Sequence, residues 1–393
     1  MKKIILIFAI AGLLLNIGCK EDTKEPLFKD SQPPGPVSSP QVVNMPGAAI
    51  ISYTLPSDED LLYVKAEYTL SNGKKMEVKT SNYLNSLKVE GFGDTNEKTV
   101  TLFAVDRGEN VSTPVTVKVN PEQPNVDVVK ATIEMIPDFG GVLYRWKNEN
   151  NAPLAFLILA EDSTGKLSEV ETIYSGITDG QYTIRGFDPE EKQFGILLRD
   201  RWDNYSDTAK ITTTPLFEQK LDKTKFNKIV LDNDQDWSAW EGRYEYAYDD
   251  NPVTFNHTWA GTGWPQYLTI DLGVVAKLSR VNVIQRQTFF YRHGNPRLMD
   301  IWGIREEPSQ DGSFDAWYPL RVAPENGCVA IRPSLEGGTA AEDQEHFATG
   351  DEYSFTLEDP PVRYIRFVIN ETWGLTGFSH FAEITFYGQV IEE

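Results

Sequence analysis

The amino-acid sequence predicts an all-β protein that is divided into several domains. Short runs of alternating apolar and polar residues, each ended by Gly, Pro, Asn or Asp, recur along most of its 393 residues, and this pattern is typical of antiparallel strands. Long stretches with the helical period are hard to find. An aromatic content of 12% agrees with a strand-rich protein. The length favours two or three domains.

The first residues predict secretion. Lys2 and Lys3 precede an uncharged, mostly apolar stretch from 4 to 18, which is shorter than the about 20 residues that a membrane-spanning helix needs. Such a stretch is typical of a bacterial signal peptide, here residues 1–18. Cys19 and the Lys-Glu-Asp after it resemble the lipidation site and export signal of surface lipoproteins of Bacteroidota. This resemblance implies an outer-membrane lipoprotein that faces the cell exterior; the alternative is a cleaved signal followed by an ordinary charged linker.

Composition and cysteine count restrict the partners and the crosslinks of the chain. Loss of the signal peptide removes two lysines and takes the formal net charge from −21 to −23. Such a surface repels phosphate backbones, so no nucleic acid is expected as a partner. The chain has two cysteines, and a lipidated Cys19 leaves Cys328 without a disulfide partner. Residues 19–40, which are polar and rich in proline, predict an extended tether.

Two copies of one sequence pattern follow the tether. Residues 99–112 align with residues 193–206, and each copy has an apolar strand followed by Asp-Arg-x-x-Asn-x-Ser. The copies resemble fibronectin type III-like or Ig-like sandwiches, and we call them module 1 (41–122) and module 2 (123–217). We interpret the Asp-Arg-x-x-Asn-x-Ser turn as a hairpin that satisfies its own backbone; the alternative is a calcium or ligand site.

The composition changes in the last domain, residues 222–393. All four histidines and seven of the nine tryptophans lie there. The domain has an Asp-Asp-Asn turn within 247–251, Pro-Gln-Tyr-Leu-Thr-Ile-Asp-Leu-Gly at 265–273, Arg-Tyr-Ile-Arg-Phe at 363–367 and Ala-Glu-Ile at 382–384. These motifs resemble the discoidin or coagulation-factor C-type family, which is similar to carbohydrate-binding modules. The resemblance implies an eight-stranded jelly-roll β-sandwich.

The same family often holds a structural calcium ion between the Asp-rich turn and the last strand. The positions that match are Asp249, Asn251, Thr254 and Glu383, and their carboxylate, amide and hydroxyl oxygens are ligands that Ca2+ prefers. Asp250 stands where the family usually has glycine. We therefore expect a Ca2+ ion that fixes these loops, with an Asx-type turn without an ion as the alternative.

Two clusters of aromatic and polar residues predict a ligand site at one end of this domain. A sugar needs a flat aromatic ring against its C–H face and planar polar groups for its hydroxyls. The segments 288–297 and 370–380 supply both and are expected to form end loops. The residues expected to contact a ligand are Tyr291, Arg292, His293, Arg297 and Trp373, with His380 and Trp264 behind them. In the alternative interpretation Arg297 pairs with an acid and several aromatic side chains belong to the core, namely Phe289, Phe290, Trp259, Trp264 and Trp302.

The sequence predicts a binding protein, not an enzyme. It has no nucleophile elbow, no His-Glu-x-x-His motif and no Gly-rich phosphate loop. The whole chain resembles proteins encoded beside outer-membrane glycan importers in gut Bacteroidota. This resemblance implies a cell-surface lipoprotein that captures polysaccharide or oligosaccharide for a TonB-dependent importer, with the C-terminal domain as the binding module. The alternatives are a structural or protein-docking subunit without sugar binding, and a glycan-cleaving enzyme, whose two carboxylates would meet only in the folded chain.

Overall fold

The all-β prediction is confirmed by a computed structural model, which describes residues 31–392. The predicted signal peptide, residues 1–18, and the predicted lipidation site, Cys19, lie outside these residues. Within residues 31–392 the strands form five sheets, and their pairing is antiparallel throughout. No helix in this part of the chain is long and apolar enough to span a membrane.

Module 1 is a sandwich of two antiparallel sheets. Its strands are β1 (Ser38–Met45), β2 (Ala48–Thr54), β3 (Leu61–Thr69), β4 (Lys75–Ser81), β5 (Ser86–Glu90), β6 (Lys98–Asp106) and β7 (Val115–Val119). One sheet has the order β1-β2-β5 and the other the order β4-β3-β6-β7. The two sheets enclose an apolar core in which Ile51, Phe92 and Leu102 are fully buried.

Module 2 repeats this arrangement. Its elements are helix α1 (Asn125–Lys130) and the strands β8 (Glu134–Asp138), β9 (Gly141–Lys147), β10 (Leu154–Glu161), β11 (Leu167–Ser175), β12 (Asp179–Ile184), β13 (Lys192–Arg199) and β14 (Ala209–Thr213). The sheet orders β12-β9-β8 and β11-β10-β13-β14 match those of module 1 strand for strand. Tyr144, Phe156 and Phe194 lie at the centre of the core. The chain therefore contains the same sandwich twice.

The repeated Asp-Arg-x-x-Asn-x-Ser turn has the same hydrogen bonds in both modules. In module 1 the carboxylate of Asp106 accepts hydrogen bonds from the backbone N–H (2.9 Å) and the side-chain amide (3.0 Å) of Asn110. In module 2 Asp200 accepts the same two bonds from Asn204, at 3.0 and 2.8 Å. The turn satisfies its own backbone, which favours the hairpin interpretation over a calcium or ligand site.

The last domain is a β-sandwich built on one continuous sheet. Its elements are β15 (Gln219–Lys220), β16 (Asn227–Lys228), β17 (Gln266–Ile284), β18 (Pro296–Ile304), β19 (Tyr318–Arg321), β20 (Cys328–Val329), helix α2 (Ala340–Thr349), β21 (Asp351–Ser354), β22 (Val362–Thr372) and β23 (Glu383–Glu392). The 19-residue strand β17 pairs with β22 through its first half and with β21 and β23 through its second half. One long strand thus links both halves of the sandwich. Trp237, Ile270 and Phe367 lie in its core, where Cys328 is buried as a free thiol.

Close contacts join the three domains at two interfaces. Between modules 1 and 2 the ring of Trp202 lies against Gly91, where a Cβ atom would come within 2.8 Å of the ring. Between module 2 and the last domain the carboxylate of Glu218 lies 3.5 Å from the guanidinium of Arg185 and 3.1 Å from that of Arg280. The first interface therefore depends on a tryptophan ring packed against a glycine, and the second on an acidic side chain between two arginines.

Candidate functional site

Three loops of the last domain meet at one end of its sheet. The first loop, residues 237–265, precedes β17; the second loop, residues 285–295, joins β17 to β18; and the third loop, residues 373–382, joins β22 to β23. Backbone hydrogen bonds connect the loops, as between the N–H of Thr258 and the carbonyl of Ser379 at 3.0 Å. The ends of the central strands therefore bring distant parts of the sequence together.

Fully buried amide side chains fix the shape of these loops. Asn295 accepts a hydrogen bond from the N–H of Arg286 (2.8 Å) and donates one to the carbonyl of Phe289 (2.7 Å). Asn256 accepts a hydrogen bond from the N–H of Phe381 (2.8 Å). A buried backbone group without its partner costs about 1–3 kcal/mol, so these contacts hold the loops in one conformation.

A cavity of about 340 Å³ opens between the three loops. Its main lining residues are Trp240, Glu241, His257, Arg286, Phe289, His293 and Phe378. The ring of His293 stacks on Phe289 with centroids 4.0 Å apart, and the ring of His257 stacks on Phe378 at 4.9 Å. This loop cavity therefore combines flat apolar faces with polar edges, which suits a ring-shaped ligand that carries hydroxyl groups.

Arg286 places a partly desolvated cation in the loop cavity. Its guanidinium carbon lies 3.4 Å from the ring centroid of Phe255 and 4.9 Å from that of Phe289. Its buried Nε has no hydrogen-bond partner among residues 31–392. Burial lowers the pKa of this guanidinium, and the nearby carboxylate of Glu241 opposes that effect. The Nε atom itself is shielded, but Arg286 as a whole is half-buried and lines the cavity, so its guanidinium is positioned to donate to an oxygen atom of a ligand.

Two exposed tryptophans extend the aromatic surface beyond the loop cavity. Trp240 is 69% exposed and Trp259 is 49% exposed, and their ring centroids lie 5.9 Å apart. The indole N–H of Trp259 donates to the carboxylate of Asp236 at 3.3 Å. Trp240 has a φ of 57°, a left-handed conformation that is unfavourable for a residue with a bulky side chain. Such backbone strain is concentrated at functional sites in other proteins.

Part of the sequence-predicted ligand set lies at this cavity. His293 is exposed and lines the cavity, and the guanidinium of Arg292 lies 5.9 Å from the ring of Phe289. His380 is fully buried beneath Phe289, with ring centroids 5.7 Å apart, so its burial does not fit the predicted ligand contact. Trp264 is 40% exposed but does not line the cavity.

The other predicted residues lie on the opposite side of the second loop. Tyr291 packs against Phe347 of α2 and Trp373, with ring centroids 4.9 and 5.2 Å away. It is only 6% exposed, so the ligand contact predicted for it does not fit its burial under α2. Arg297 stacks over Trp373 and pairs with Glu371 at 2.8 Å, as the alternative interpretation of the sequence expected. The predicted set therefore does not converge on a single cavity.

The four residues predicted to bind calcium do lie together. They are Asp249, Asn251, Thr254 and Glu383. The hydroxyl of Thr254 donates to Asp249 at 2.9 Å, and the N–H of Asn251 donates to Glu383 at 2.9 Å. The prediction therefore located a real cluster of oxygen atoms on the turn.

A lysine side chain supplies the positive charge at this cluster. The ammonium group of Lys223 lies 2.7 Å from a carboxylate oxygen of Glu383, 2.7 Å from the hydroxyl of Thr385 and 2.8 Å from the carboxylate of Asp250. Within residues 31–392 no group of three or more His, Cys, Asp or Glu side chains is arranged to hold a metal ion. A calcium ion on Glu383 would be repelled by this fixed ammonium group, so the residues do not fit the predicted Ca2+ site.

Several residues of the loop cavity were missed by the sequence analysis, notably Trp240, Arg286 and Phe378. Trp240 lies only three positions after Trp237, and one is exposed while the other is in the core. The sequence does not show which of the two tryptophans is exposed, because the exposure of Trp240 depends on its left-handed backbone conformation. Arg286 had a weak signal, since it lies two positions after an apolar strand and shortly before the predicted aromatic cluster of residues 288–297.

The buried histidines predict that the last domain loses stability as the pH falls below about 6.5. Burial lowers the pKa of both His257 and His380, and Arg286 and His293 add to this effect. The unfolded chain takes up a proton near the ordinary pKa while folded His380 does not, so each unit of pH decrease lowers the free energy of unfolding by up to about 1.4 kcal/mol. Urea unfolding at a series of pH values gives the free energy of unfolding at each pH. This free energy should fall less steeply with decreasing pH for His380→Phe than for the wild type. An equally steep fall in both proteins would contradict the prediction.

Comparison with known protein families gives matches along most of the described chain. Three family models match: domain of unknown function DUF4959 at residues 34–121, domain of unknown function DUF5126 at residues 122–224, and a third domain of unknown function at residues 240–388. No curated protein matches the chain.

Solved structures are similar to parts of the chain. A SusE-like protein is 31% identical, and the match covers 68% of this chain and 100% of that one, with a TM-score of 0.43. The third family 32 carbohydrate-binding module of a family 31 glycoside hydrolase from Clostridium perfringens is 19% identical, with 43% and 95% covered and a TM-score of 0.33. A family 32 module of another C. perfringens protein, solved in complex with galactose, is 17% identical, with 43% and 98% covered and a TM-score of 0.30.

Proposed function

This chain belongs to the family of SusE-like proteins, since it is 31% identical to a member whose whole length it covers, and from that premise we propose that it binds glycans at the cell surface. The loop cavity of the last domain is the proposed binding site. The proposed ligand is a polysaccharide or an oligosaccharide, and the protein passes it to a TonB-dependent importer in the outer membrane.

The guanidinium of Arg286, which is held against the rings of Phe255 and Phe289 at the cavity, is the observation that carries this proposal. Sugar rings present C–H faces to aromatic side chains, and their hydroxyl oxygens accept hydrogen bonds from fixed donors. Trp240 and Phe289 supply the flat surfaces, and Arg286 supplies the donor. Glu241, on the same wall, supplies an acceptor for a hydroxyl hydrogen.

A binding role without catalysis agrees with the carboxylates at this site. Glu241 is the one carboxylate side chain among the described residues that line the loop cavity. A glycosidase of the usual kind needs two carboxylates on either side of the scissile bond. We therefore propose that the bound glycan is held and not cleaved.

In this proposal modules 1 and 2 form a stalk that carries the binding domain. The predicted lipid on Cys19 would anchor the chain, and the predicted tether of residues 19–40 would connect it to module 1. Specific contacts at both interfaces, such as Trp202 on Gly91, join the modules to one another. The binding domain then lies at the end of the chain that is far in sequence from the anchor.

Affinity gel electrophoresis of residues 20–393 tests the proposal. The gels would contain starch, xylan, pectic galactan, α-mannan or mucin glycans, and at least one of these is expected to retard the protein. Loss of a hydrogen bond from a charged donor costs about 1.5–3 kcal/mol, so Arg286→Leu should weaken the binding at least about tenfold. Trp240→Ala is expected to act in the same direction.

Trp264→Ala is the matched control, because Trp264 is also an exposed tryptophan of the last domain but lies outside the loop cavity. This variant should bind like the wild type. If no glycan retards the wild type, or if Arg286→Leu and Trp240→Ala bind as well as Trp264→Ala, the proposal is wrong. Reducing ends released from a retarding glycan would instead indicate an enzyme.

A further inference from the structure

We propose a second carbohydrate-binding site on module 2, between the side chains of Tyr174 and Tyr205. The proposal rests on the proposed function and extends it to a second place on the chain. It concerns the outer face of the sheet β11-β10-β13-β14, far in sequence from the loop cavity.

The register of this sheet places four residues in one row across its outer face. Tyr174 of β11 pairs with Ala155 of β10, Ala155 pairs with Arg199 of β13, and Arg199 forms a bridge with Tyr205. Directly paired residues of antiparallel strands point to the same face of a sheet. Ala155 points outward, because its chain neighbours, Leu154 and Phe156, belong to the core of the module.

The row forms a groove with an aromatic ring on either side. Tyr174 is 75% exposed and Tyr205 is 50% exposed, whereas Ala155 between them has no side chain beyond Cβ and forms the floor. Neighbouring strands lie about 4.8 Å apart, so the two tyrosine backbones are separated by roughly 14 Å, about the length of two to three sugar rings. A cavity of about 570 Å³ lies on this face; Tyr174, Ala155 and Arg199 line it, and Tyr205 lies beyond Arg199 in the row.

The polar groups of the groove fit an uncharged saccharide. Arg199 forms a bridge with Tyr205, and the interaction of their side chains raises the pKa of the guanidinium. Arg201 is paired with Glu90 and stacks on Trp202, at 4.2 Å from its ring centroid. Arg199, Asp200, Arg201 and Asp203 line the cavity, so positive and negative side chains alternate and no single sign of charge is selected. This combination matches a chain of neutral sugar rings.

Module 1 shows that the shared sandwich does not need this row of residues. Its equivalent row is Ser81, Tyr63, Val105 and Val111. There the central position is filled by Tyr63, whose hydroxyl donates to Glu109 at 3.1 Å, and the flanking positions have no aromatic side chain. The groove is therefore specific to module 2, although both modules have the same strand order.

Two sites on one chain would bind a polysaccharide more tightly than either site alone. When one site is occupied, the second binds at a high effective concentration, and the gain in avidity is about 100-fold or more where both sites can be reached. The Tyr174→Ala/Tyr205→Ala variant of residues 20–393 should therefore bind the retarding polysaccharide of the gel panel at least about tenfold more weakly. Ala155→Tyr, which copies module 1, should fill the groove with the same result while both tyrosines stay in place.

The loop cavity and the module 2 groove can be tested separately in the same gels, with starch, xylan, pectic galactan, α-mannan and mucin glycans as probes. Tyr83→Ala is the control, since Tyr83 is an 89% exposed tyrosine of module 1. The variant Trp240→Ala/Arg286→Leu should keep a residual retardation that disappears when Tyr174→Ala and Tyr205→Ala are added. Hydrogen exchange should show protection by the same glycan in residues 174–178 and 200–206.

Each outcome of these experiments has one meaning. Loss of all retardation in Trp240→Ala/Arg286→Leu, with wild-type binding by Tyr174→Ala/Tyr205→Ala and Ala155→Tyr, overturns the second site and leaves the proposed function standing. Retardation that responds only to the module 2 variants supports the second site and overturns the loop cavity. If none of the five glycans retards the wild type, both proposals are wrong.

Discussion

Replacing Lys223 by methionine is expected to lower the free energy of unfolding by roughly 3–5 kcal/mol, because it leaves a buried carboxylate without its partner. The ammonium group of Lys223 and the carboxylate of Glu383 are each 5% exposed and lie 2.7 Å apart. Thr385 and Asp250 also contact this ammonium group. Thermal or urea unfolding followed by circular dichroism would measure the loss.

Lys220→Met is a matched control for this prediction. Lys220 contacts the same oxygen of Asp250, at 2.6 Å, but its side chain is 45% exposed. Exposed ion pairs contribute about 0–1 kcal/mol, so this variant should be close to the wild type. Glu383→Gln added to Lys223→Met should restore part of the lost stability, because it removes the uncompensated charge. Equal effects of Lys223→Met and Lys220→Met would contradict the prediction.

Thermal unfolding also tests whether calcium binds at Glu383. The Lys223 ammonium group already neutralises Glu383. We therefore expect the thermal midpoint of the wild type to be the same in EDTA and in millimolar calcium chloride. A higher midpoint in calcium would mean that an ion competes with Lys223 for these oxygen atoms. The calcium site implied by the family resemblance would then be correct after all.

The fold was predictable from the sequence because it depends on patterns that recur. Alternating apolar residues define each strand, and the aligned segments 99–112 and 193–206 occupy equivalent strands and turns of the two modules. The hydrogen bonds of Asp106 and Asp200 are short-range and follow from residue type and spacing. Local chemistry of this kind is visible in a sequence.

The candidate site was predictable only in part, because it depends on backbone geometry that residue types do not reveal. Tyr291 and His293 were predicted to act together, but both have positive φ values, 44° and 60°, and their side chains lie on opposite sides of the second loop. Lys223 was missed because its contact with Glu383 spans 160 positions of the sequence. An alternating pattern predicts which face a strand residue occupies, but it does not predict the path of an irregular loop.

Replacing Asn295 by leucine is expected to weaken glycan binding at the loop cavity without replacing any residue that lines it. Asn295 is fully buried and holds the second loop through Arg286 and Phe289, with hydrogen bonds of 2.8 and 2.7 Å. Leucine leaves the Arg286 N–H unpaired, at about 1–3 kcal/mol, and leaves the Phe289 carbonyl only its 3.3 Å bond from the Arg292 N–H. The loop must then move to satisfy the Arg286 N–H, and Arg286 and Phe289 move with it. We expect at least about tenfold weaker retardation in the affinity gels.

A second asparagine separates this effect from a general loss of stability. Asn370 is exposed on β22 and makes one side-chain hydrogen bond, to Asp300 at 2.8 Å, so Asn370→Leu should bind like the wild type. Asn295→Asp keeps the acceptor for the Arg286 N–H but loses the donor to the Phe289 carbonyl, and it should bind with intermediate strength. Binding is measured well below the thermal midpoint of each variant. If Asn295→Leu is retarded as strongly as Asn370→Leu, the buried amide does not position the site, and the contacts of Arg286 with the aromatic rings of Phe255 and Phe289 are sufficient to hold it.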